Sequence, residues 1–254
     1  MDAVAAVASE AAALAMARWD TGFQRWEKSP DHPVCEVDLE VDALLRERLR
    51  TVDPNAGWLS EETVDDPARL ACERVWVVDP IDGTRDYLRR RIGWAVSVAL
   101  VEHGRPVVAV LAAPARDEMW TAVAGQGAWR NGERLQVGSR TQLSGSRAPT
   151  DSLPREDRDL VVVAKPNSIA LRIAMVAADQ ADLLATLRWG NEWDVAAAVL
   201  IASEAGATVS DALGQPLAFN QRDPQAFGVL ASVPGIHAAA VERLAARAAV
   251  VLGR

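Results

Sequence analysis

Two carboxylates stand three residues apart in the segment WVVDPIDGT, which spans residues 76–84. The apolar run before Asp79 predicts a buried strand, and Pro80 interrupts the backbone hydrogen bonds with which that strand would continue. Carboxylates held close together repel each other unless a cation neutralises them, and Mg²⁺ prefers hard oxygen ligands. Asp79 and Asp82 therefore indicate a cation site, with a capping Asp and a turn Asp as the alternative interpretation.

The residues that follow Asp82 indicate an anion beside that cation. Gly83 and Thr84 place backbone N–H groups where the sequence RDYLRR predicts the start of a helical turn. Such a position is favourable for a phosphate. Adjacent residues thus point to metal and to phosphate chemistry.

Two further acidic groups stand beside tryptophan or apolar residues. Glu61 and Glu62 follow Trp58-Leu59, and taken alone they predict a solvated loop. Asp194 lies in NEWDVAA, where it predicts the N-cap of an alanine-rich helix. The other interpretation is that all three acidic groups converge on one metal–phosphate site.

WVVDPIDGT and NEWDVAA, in this order, resemble the two signature motifs of the inositol monophosphatase superfamily, a group of Li⁺-sensitive, Mg²⁺-dependent phosphatases. The resemblance extends from roughly Lys28 to Ala231 and includes KSPDHPVCEVD, GQGAWRNGE and EAGATVSD. The haloacid-dehalogenase signature DxDGT is a different arrangement, because its two acids are separated by one residue rather than two. Ser60 stands where the family usually has glycine, and the 139–167 segment is shorter than in most inositol monophosphatases.

The resemblance implies a catalytic role for each acidic group. The implied ligands of two or three Mg²⁺ ions are Glu61, Asp79, the Ile81 carbonyl, Asp82 and Asp194. Thr84 and Asp38 are implied to orient and deprotonate the attacking water, assisted by Glu61 through its metal. The expected substrate contacts are Gly83, Thr84, Asn167, Ser168 and Arg188.

The segment RWGNEWD, residues 188–194, is most similar to that of bacterial 3′(2′),5′-bisphosphate nucleotidases. It implies conversion of adenosine 3′,5′-bisphosphate to AMP, with inositol-1-monophosphatase or a related sugar phosphatase as the alternative. Arg188 is a candidate for binding a second phosphate, since its planar fork suits phosphate oxygens, or else a surface residue paired with Glu192. A catalytically silent regulatory module of the same fold is the non-enzyme alternative.

Hydrophobic periodicity predicts the elements that position these residues. The expected helices and strands are, in order, helix 3–18, a polar loop 27–32, helix 38–49, strands 76–79, 94–101, 107–114 and 118–123, strand 160–164, helix 168–178, strand 182–187, helix 193–205, strands 207–210 and 227–231, and helix 236–251. Together with the resemblance they predict an α/β fold, an alternating α-β-α-β-α sandwich of the inositol monophosphatase and fructose-1,6-bisphosphatase type. Residues 1–254 are expected to form one domain with halves at 1–138 and 139–254.

The composition limits the partners. With 27 Lys and Arg against 35 Asp and Glu among 254 residues, the net charge of −8 disfavours nucleic acid and anionic lipid surfaces, so an anionic substrate requires a local cation. There is no basic signal-peptide region or long uncharged apolar run, which predicts a cytoplasmic protein without a membrane span. Cys35 and Cys72 are expected to be reduced thiols, and the three histidines to face solvent. The family resemblance implies a homodimer.

Overall fold

The structure, a computed structural model, describes residues 1–29 and 32–253, and the side chains of residues 28, 29 and 32 lie outside that description. Within the described residues the helices are α1 (Asp2–Trp19), α2 (Glu36–Val52), α3 (Thr84–Leu88), α4 (Ile169–Ala177), α5 (Glu192–Glu204) and α6 (His237–Val251). The strands are β1 (Arg25–Ser29), β2 (His32–Cys35), β3 (Gly57–Ser60), β4 (Arg74–Asp82), β5 (Ala95–Glu102), β6 (Arg105–Ala113), β7 (Glu118–Val123), β8 (Gly127–Arg130), β9 (Glu133–Arg134), β10 (Arg147–Pro149), β11 (Val161–Val163), β12 (Leu183–Ala185), β13 (Trp189–Asn191), β14 (Thr208–Ser210), β15 (Gln225–Phe227) and β16 (Leu230–Ser232).

A seven-stranded sheet contains β3 to β9 in sequence order. β3 pairs with β4 in parallel, and each later strand pairs with its predecessor in antiparallel fashion. Along β4, Val75 and Val77 are buried on one face while Trp76 and Val78 are buried on the other. Because successive strand side chains point to opposite faces, this pattern requires packed layers on both sides of the sheet.

Those layers are helices, and a second sheet lies beyond one of them. α1 and α2 cover one face of the seven-stranded sheet, and α4 and α5 cover the other. A three-stranded sheet, ordered β12-β16-β14, packs against the far side of α4 and α5, and α6 packs on β16. The layers alternate α-β-α-β-α, which confirms the predicted fold class. One apolar core includes residues from before and after position 138. The division into halves stays a prediction.

Most of the expected elements are present, and two expectations were wrong. Residues 27–29 and 32 of the expected polar loop lie instead in strands, because β1 and β2 pair as an antiparallel ribbon; residues 30 and 31 lie outside the described part of the chain. Residues 25–27 of β1 are exposed, while Val34 and Cys35 of β2 are buried, so a strand can form without the apolar alternation that predicts one. The single strand expected at 227–231 is two strands, because Gly228 has a φ of +70° and turns the chain between them.

The histidines and cysteines are placed as follows. His103 is exposed, but His237 is half-buried between the hydroxyls of Ser210 and Ser232, at 3.0 and 2.9 Å. The expectation that it faces solvent was therefore wrong, since α6 packs this residue against β14 and β16. The expectation for the His32 side chain lies outside the described residues. Cys35 and Cys72 are both free thiols, as predicted. None of the described helices combines the length and apolar character needed to cross a membrane.

Candidate active site

A cleft of about 340 Å³ opens where the ends of β3 and β4 meet the first turns of α3, α4 and α5. The predicted site residues that line it are Glu61, Asp79, Ile81, Asp82, Gly83, Thr84, Asn167, Arg188 and Asp194. Asp38 and Ser168 are buried behind this lining. The cleft thus brings together residues separated by more than a hundred positions in the chain.

Three carboxylates from three elements meet in this cleft. Glu61, Asp79 and Asp194 each offer an oxygen within 4.8 Å of the other two. Glu61 follows β3 and Asp79 lies near the end of β4, and the parallel pairing of these strands carries both chains to the same edge of the sheet. Asp194 reaches that edge from the first turn of α5. A close set of carboxylate oxygens is a fitting donor set for a hard divalent cation.

The backbone around Asp79 leaves the regular sheet at the predicted point. The pairing of β4 with β5 is irregular between Asp79 and Asp82, and the Ile81 N–H donates to the Asp79 carboxylate at 3.0 Å instead of to a neighbouring strand. Such an irregularity changes the direction of the side chains that follow it. Both Asp79 and Asp82 can therefore line the cleft although they are three positions apart.

The electrostatics of the cleft favour a bound cation. Burial raises the pKa of Asp79 well above its usual range, and the charges of Glu61, Asp82 and Asp194 raise it further. Burial, followed by the charge of Asp82, raises the pKa of Asp194 to about 7. Crowded carboxylates resist joint ionisation, and a divalent cation removes that repulsion.

Asp82 also anchors α4. One of its oxygens accepts hydrogen bonds from the Ser168 hydroxyl at 2.5 Å and the Ala170 N–H at 2.8 Å, while the other accepts from the Ile169 N–H at 3.2 Å. Burial raises the pKa of Asp82, and these three donors partly offset the effect. Ser168 is fully buried because it caps α4, so its side chain faces Asp82 rather than the cleft.

Thr84 and Asp38 are in contact, as a water-activating pair requires. The Thr84 hydroxyl lies 3.3 Å from Asp38 Oδ1 and 3.0 Å from the Ile81 carbonyl oxygen. The other Asp38 oxygen accepts hydrogen bonds from the Cys35 N–H at 2.8 Å and the Cys35 thiol at 2.9 Å. Cys35 is the N-cap of α2, so a local helix-capping arrangement orients Asp38 with Oδ1 toward Thr84.

Asp194 does not occupy the N-cap position expected from the sequence. Asn191 is the N-cap of α5, and Asp194 stands three residues later, where its carboxylate accepts the Asn191 N–H at 3.0 Å. This is a capping box, in which the acid occupies the third helical position. Half-buried and fixed in this way, the Asp194 carboxylate stays at the cleft.

The loop that carries Glu61 is tied to α2. Asp42 accepts hydrogen bonds from Ser60 at 2.5 Å and Thr63 at 2.6 Å, on either side of Glu61. The hydroxymethyl group of Ser60 therefore points to α2 and not toward the carboxylate cluster. This explains how the chain accommodates serine where the resemblance leads one to expect glycine.

Basic side chains also line the cleft, and several were not predicted. Lys165, Arg172 and Arg85 join Arg188 there. Arg172 holds the loop at the cleft by donating to the Pro166 and Asn167 carbonyls, and Lys165 pairs with Asp151 at 2.8 Å. The signal for Lys165 is its position directly after a predicted strand. Arg172 is the one charge in an otherwise apolar helix.

The alternative pairing of Arg188 with Glu192 is not present. Glu192 is buried, and its two oxygens accept the N–H groups of Asn220 and Gln221 at 2.6 and 2.8 Å. Arg188 is instead exposed in the cleft, where its charge counteracts the rise in the pKa of Asp194. The Arg188 guanidinium is therefore in the same cleft as the carboxylate cluster and does not pair with Glu192.

Comparison with known proteins places this site in a family. The chain matches the model of the inositol monophosphatase family over residues 1–249. It is 32% identical over 209 residues to the 3′(2′),5′-bisphosphate nucleotidase CysQ of Escherichia coli strain K12, covering 77% of this chain and 83% of that protein. It is 34% identical over 204 residues to the inositol-1-monophosphatase of Rhizobium meliloti strain 1021, covering 74% and 75%.

A solved structure agrees with these sequence matches. The Thermotoga maritima IMPase superposes with a TM-score of 0.83 at 26% identity, covering 97% of both chains. The shared architecture includes the central sheet and the helices. The chain therefore belongs to the inositol monophosphatase family and is a phosphatase that hydrolyses phosphate monoesters.

Proposed function

We propose that this protein is a Mg²⁺-dependent, Li⁺-sensitive 3′(2′),5′-bisphosphate nucleotidase that converts adenosine 3′,5′-bisphosphate to AMP. The observation that carries the proposal is a carboxylate cluster facing an exposed Arg188 in one cleft. The carboxylates suit a cation that binds the reacting phosphate. Arg188 offers a bidentate donor for the second phosphate of a bisphosphate substrate.

The proposed metal ligands are carboxylate and carbonyl oxygens, namely Glu61, Asp79, Asp194, Asp82 and the Ile81 carbonyl. Mg²⁺ held by these ligands would neutralise the charge that develops on the phosphoryl oxygens. The burial and mutual repulsion of these acids support the assignment, because they make the cation-free arrangement costly.

Thr84 and Asp38 are proposed to activate the water. The Thr84 oxygen accepts a hydrogen bond from the attacking water, and the Thr84 hydroxyl proton passes toward Asp38 Oδ1, 3.3 Å away. The other Asp38 oxygen accepts two hydrogen bonds from Cys35, which orients Oδ1 toward Thr84. As the water oxygen bonds to the phosphorus, its proton passes to the Thr84 oxygen and replaces the one given to Asp38. The phosphorus–ester oxygen bond breaks on the opposite side, and the departing oxygen takes a proton from solvent water. Gly83, Thr84 and Asn167 are proposed to contact the substrate from the cleft wall.

The test is a substrate panel at saturating Mg²⁺. Values of kcat/KM are measured for adenosine 3′,5′-bisphosphate, inositol 1-phosphate and fructose 1,6-bisphosphate, and each is repeated in EDTA. We expect the nucleoside bisphosphate to be preferred by about a hundredfold or more, which corresponds to about 2.7 kcal/mol of transition-state binding. A preference for inositol 1-phosphate would assign the alternative activity. Activity that persists in EDTA would refute the metal dependence.

The homodimer implied by the family resemblance is also a proposal. Sedimentation equilibrium at micromolar protein concentration tests it directly. A mass of twice 27.3 kDa supports the dimer, and a mass of 27.3 kDa contradicts it.

A further inference from the structure

Trp189 is an exposed aromatic side chain in the wall of the active-site cleft. It is 57% exposed, more than any other tryptophan in the described part of the chain. An exposed tryptophan loses the benefit of burying its large apolar surface. The position therefore calls for an explanation other than the stability of the isolated chain.

The Trp189 ring packs against a buried aromatic side chain. It lies on β13, directly opposite Phe227 of β15, and the two rings meet edge to face with centroids 5.5 Å apart and an angle of 63°. Phe227 itself is buried. Contact with a buried ring restricts the rotamers of Trp189, while more than half of its surface stays exposed to solvent. A rigid aromatic surface loses little conformational entropy when a flat ligand stacks on it.

Trp189 lies on the strand that leads away from the carboxylate cluster. Two residues further along β13, the Asn191 N–H donates to Asp194, and a Cβ at Gly190 would lie 3.7 Å from the same carboxylate. The strand rise places the backbone of Trp189 roughly 7 Å from that of Asn191. Arg188, beside Trp189, acts electrostatically on Asp194. Leading away from Asp194 along the chain, the cleft wall therefore presents the Trp189 ring, and the Arg188 guanidinium lines the cleft from the adjacent position.

We propose that Trp189 is the stacking platform for the nucleobase of the substrate. This inference rests on the proposed nucleotidase activity and adds to it the residue that selects a base-bearing substrate over a base-free bisphosphate. Stacking is tolerant of base identity, because every base has a π-face. Trp189 should accordingly favour nucleotides as a class and discriminate weakly between adenine and guanine.

The test compares two substrates across four proteins. Values of kcat and KM are measured for adenosine 3′,5′-bisphosphate and for fructose 1,6-bisphosphate with the wild type, Trp189→Ala, Trp189→Phe and Trp129→Ala. Trp129 is a half-buried tryptophan on β8 that does not line the cleft, so its variant controls for loss of a tryptophan elsewhere. Binding of AMP in EDTA, followed by calorimetry, gives a readout that does not depend on turnover.

We expect Trp189→Ala to raise KM for adenosine 3′,5′-bisphosphate by about 5- to 150-fold, the range that corresponds to about 1–3 kcal/mol of stacking free energy. The rise in KM for adenosine 3′,5′-bisphosphate should exceed the rise in KM for fructose 1,6-bisphosphate at least fivefold. The affinity for AMP should weaken in parallel. Trp189→Phe should recover part of the affinity, and Trp129→Ala should resemble the wild type.

The contrary outcomes are distinct. If the wild type prefers adenosine 3′,5′-bisphosphate but Trp189→Ala raises KM equally for both substrates, the stacking role is overturned and the proposed function stands. If kcat/KM of the wild type is no higher for adenosine 3′,5′-bisphosphate than for fructose 1,6-bisphosphate, the proposed function itself is overturned. A smaller sedimentation mass for Trp189→Ala than for the wild type would also overturn the stacking role, by showing that a second copy of the chain covers the ring.

Discussion

Replacing Asp194 with Asn should stabilise the metal-free protein, and the size of the gain should depend on pH. Burial and the charge of Asp82 raise the pKa of Asp194 from 3.8 to about 7. Because the folded-state pKa lies above the unfolded value, the folded protein holds this proton more tightly. The ionised carboxylate therefore costs stability progressively as the pH rises from about 4 to 7, and the full cost is present above pH 7.

The magnitude follows from that pKa difference. At 1.36 kcal/mol per pH unit, raising the pKa from 3.8 to about 7 corresponds to about 4 kcal/mol at pH 8 and about 2 kcal/mol at pH 5. These are upper limits, since Asp194 is half-buried and solvent screens part of its charge. The amide oxygen of Asn can still accept the Asn191 N–H, so the capping box survives the substitution.

Urea unfolding in EDTA at pH 5 and pH 8 measures this effect. The control is Asp20→Asn, an exposed carboxylate at the end of α1. Mg²⁺ at a hundred times its Kd should stabilise the wild type by about 2.7 kcal/mol and the Asp194→Asn variant by much less. A loss of stability at pH 8, or the same gain at both pH values, would refute the assignment of Asp194 to the repelling cluster.

Three further predictions concern catalysis and metal binding. Thr84→Ala should lower kcat at least tenfold with a smaller effect on KM, while Thr84→Ser keeps much of the rate; equal steady-state rates for both variants would contradict the role of the hydroxyl. Asp42→Ala should raise the Mg²⁺ concentration for half-maximal activity about tenfold, because it releases Ser60 and Thr63 on either side of Glu61; an unchanged Mg²⁺ titration would count against this positioning. Li⁺ should inhibit at concentrations where Na⁺ does not, and equal inhibition in salt-matched titrations would argue against the proposed metal site.

The elements around the site could largely be predicted from local sequence. The strands predicted at 94–101 and 118–123 have the apolar and β-branched pattern of a sheet and are observed at Ala95–Glu102 and Glu118–Val123. The turns at His103-Gly104 and Asn131-Gly132 adopt positive φ as their residue types favour. The interruption after Asp79 follows from Pro80 in the same way. These features depend on interactions among a few neighbouring residues, so the local sequence is enough to predict them.

The geometry of the cleft depends instead on contacts between distant residues. Parallel pairing of β3 with β4 is what brings Glu61 beside Asp79, and the sequence of the 57–60 segment contains no local signal for that partner. The role of Asp194 at the third position of α5, rather than at its cap, depends on where the chain enters the helix. Trp189 lies between two predicted elements, strand 182–187 and helix 193–205, so the sequence did not predict the environment of its ring. Only the packing of β13 on β15, at the edge of the cleft, leaves its ring open, because exposure is set by what the rest of the chain covers.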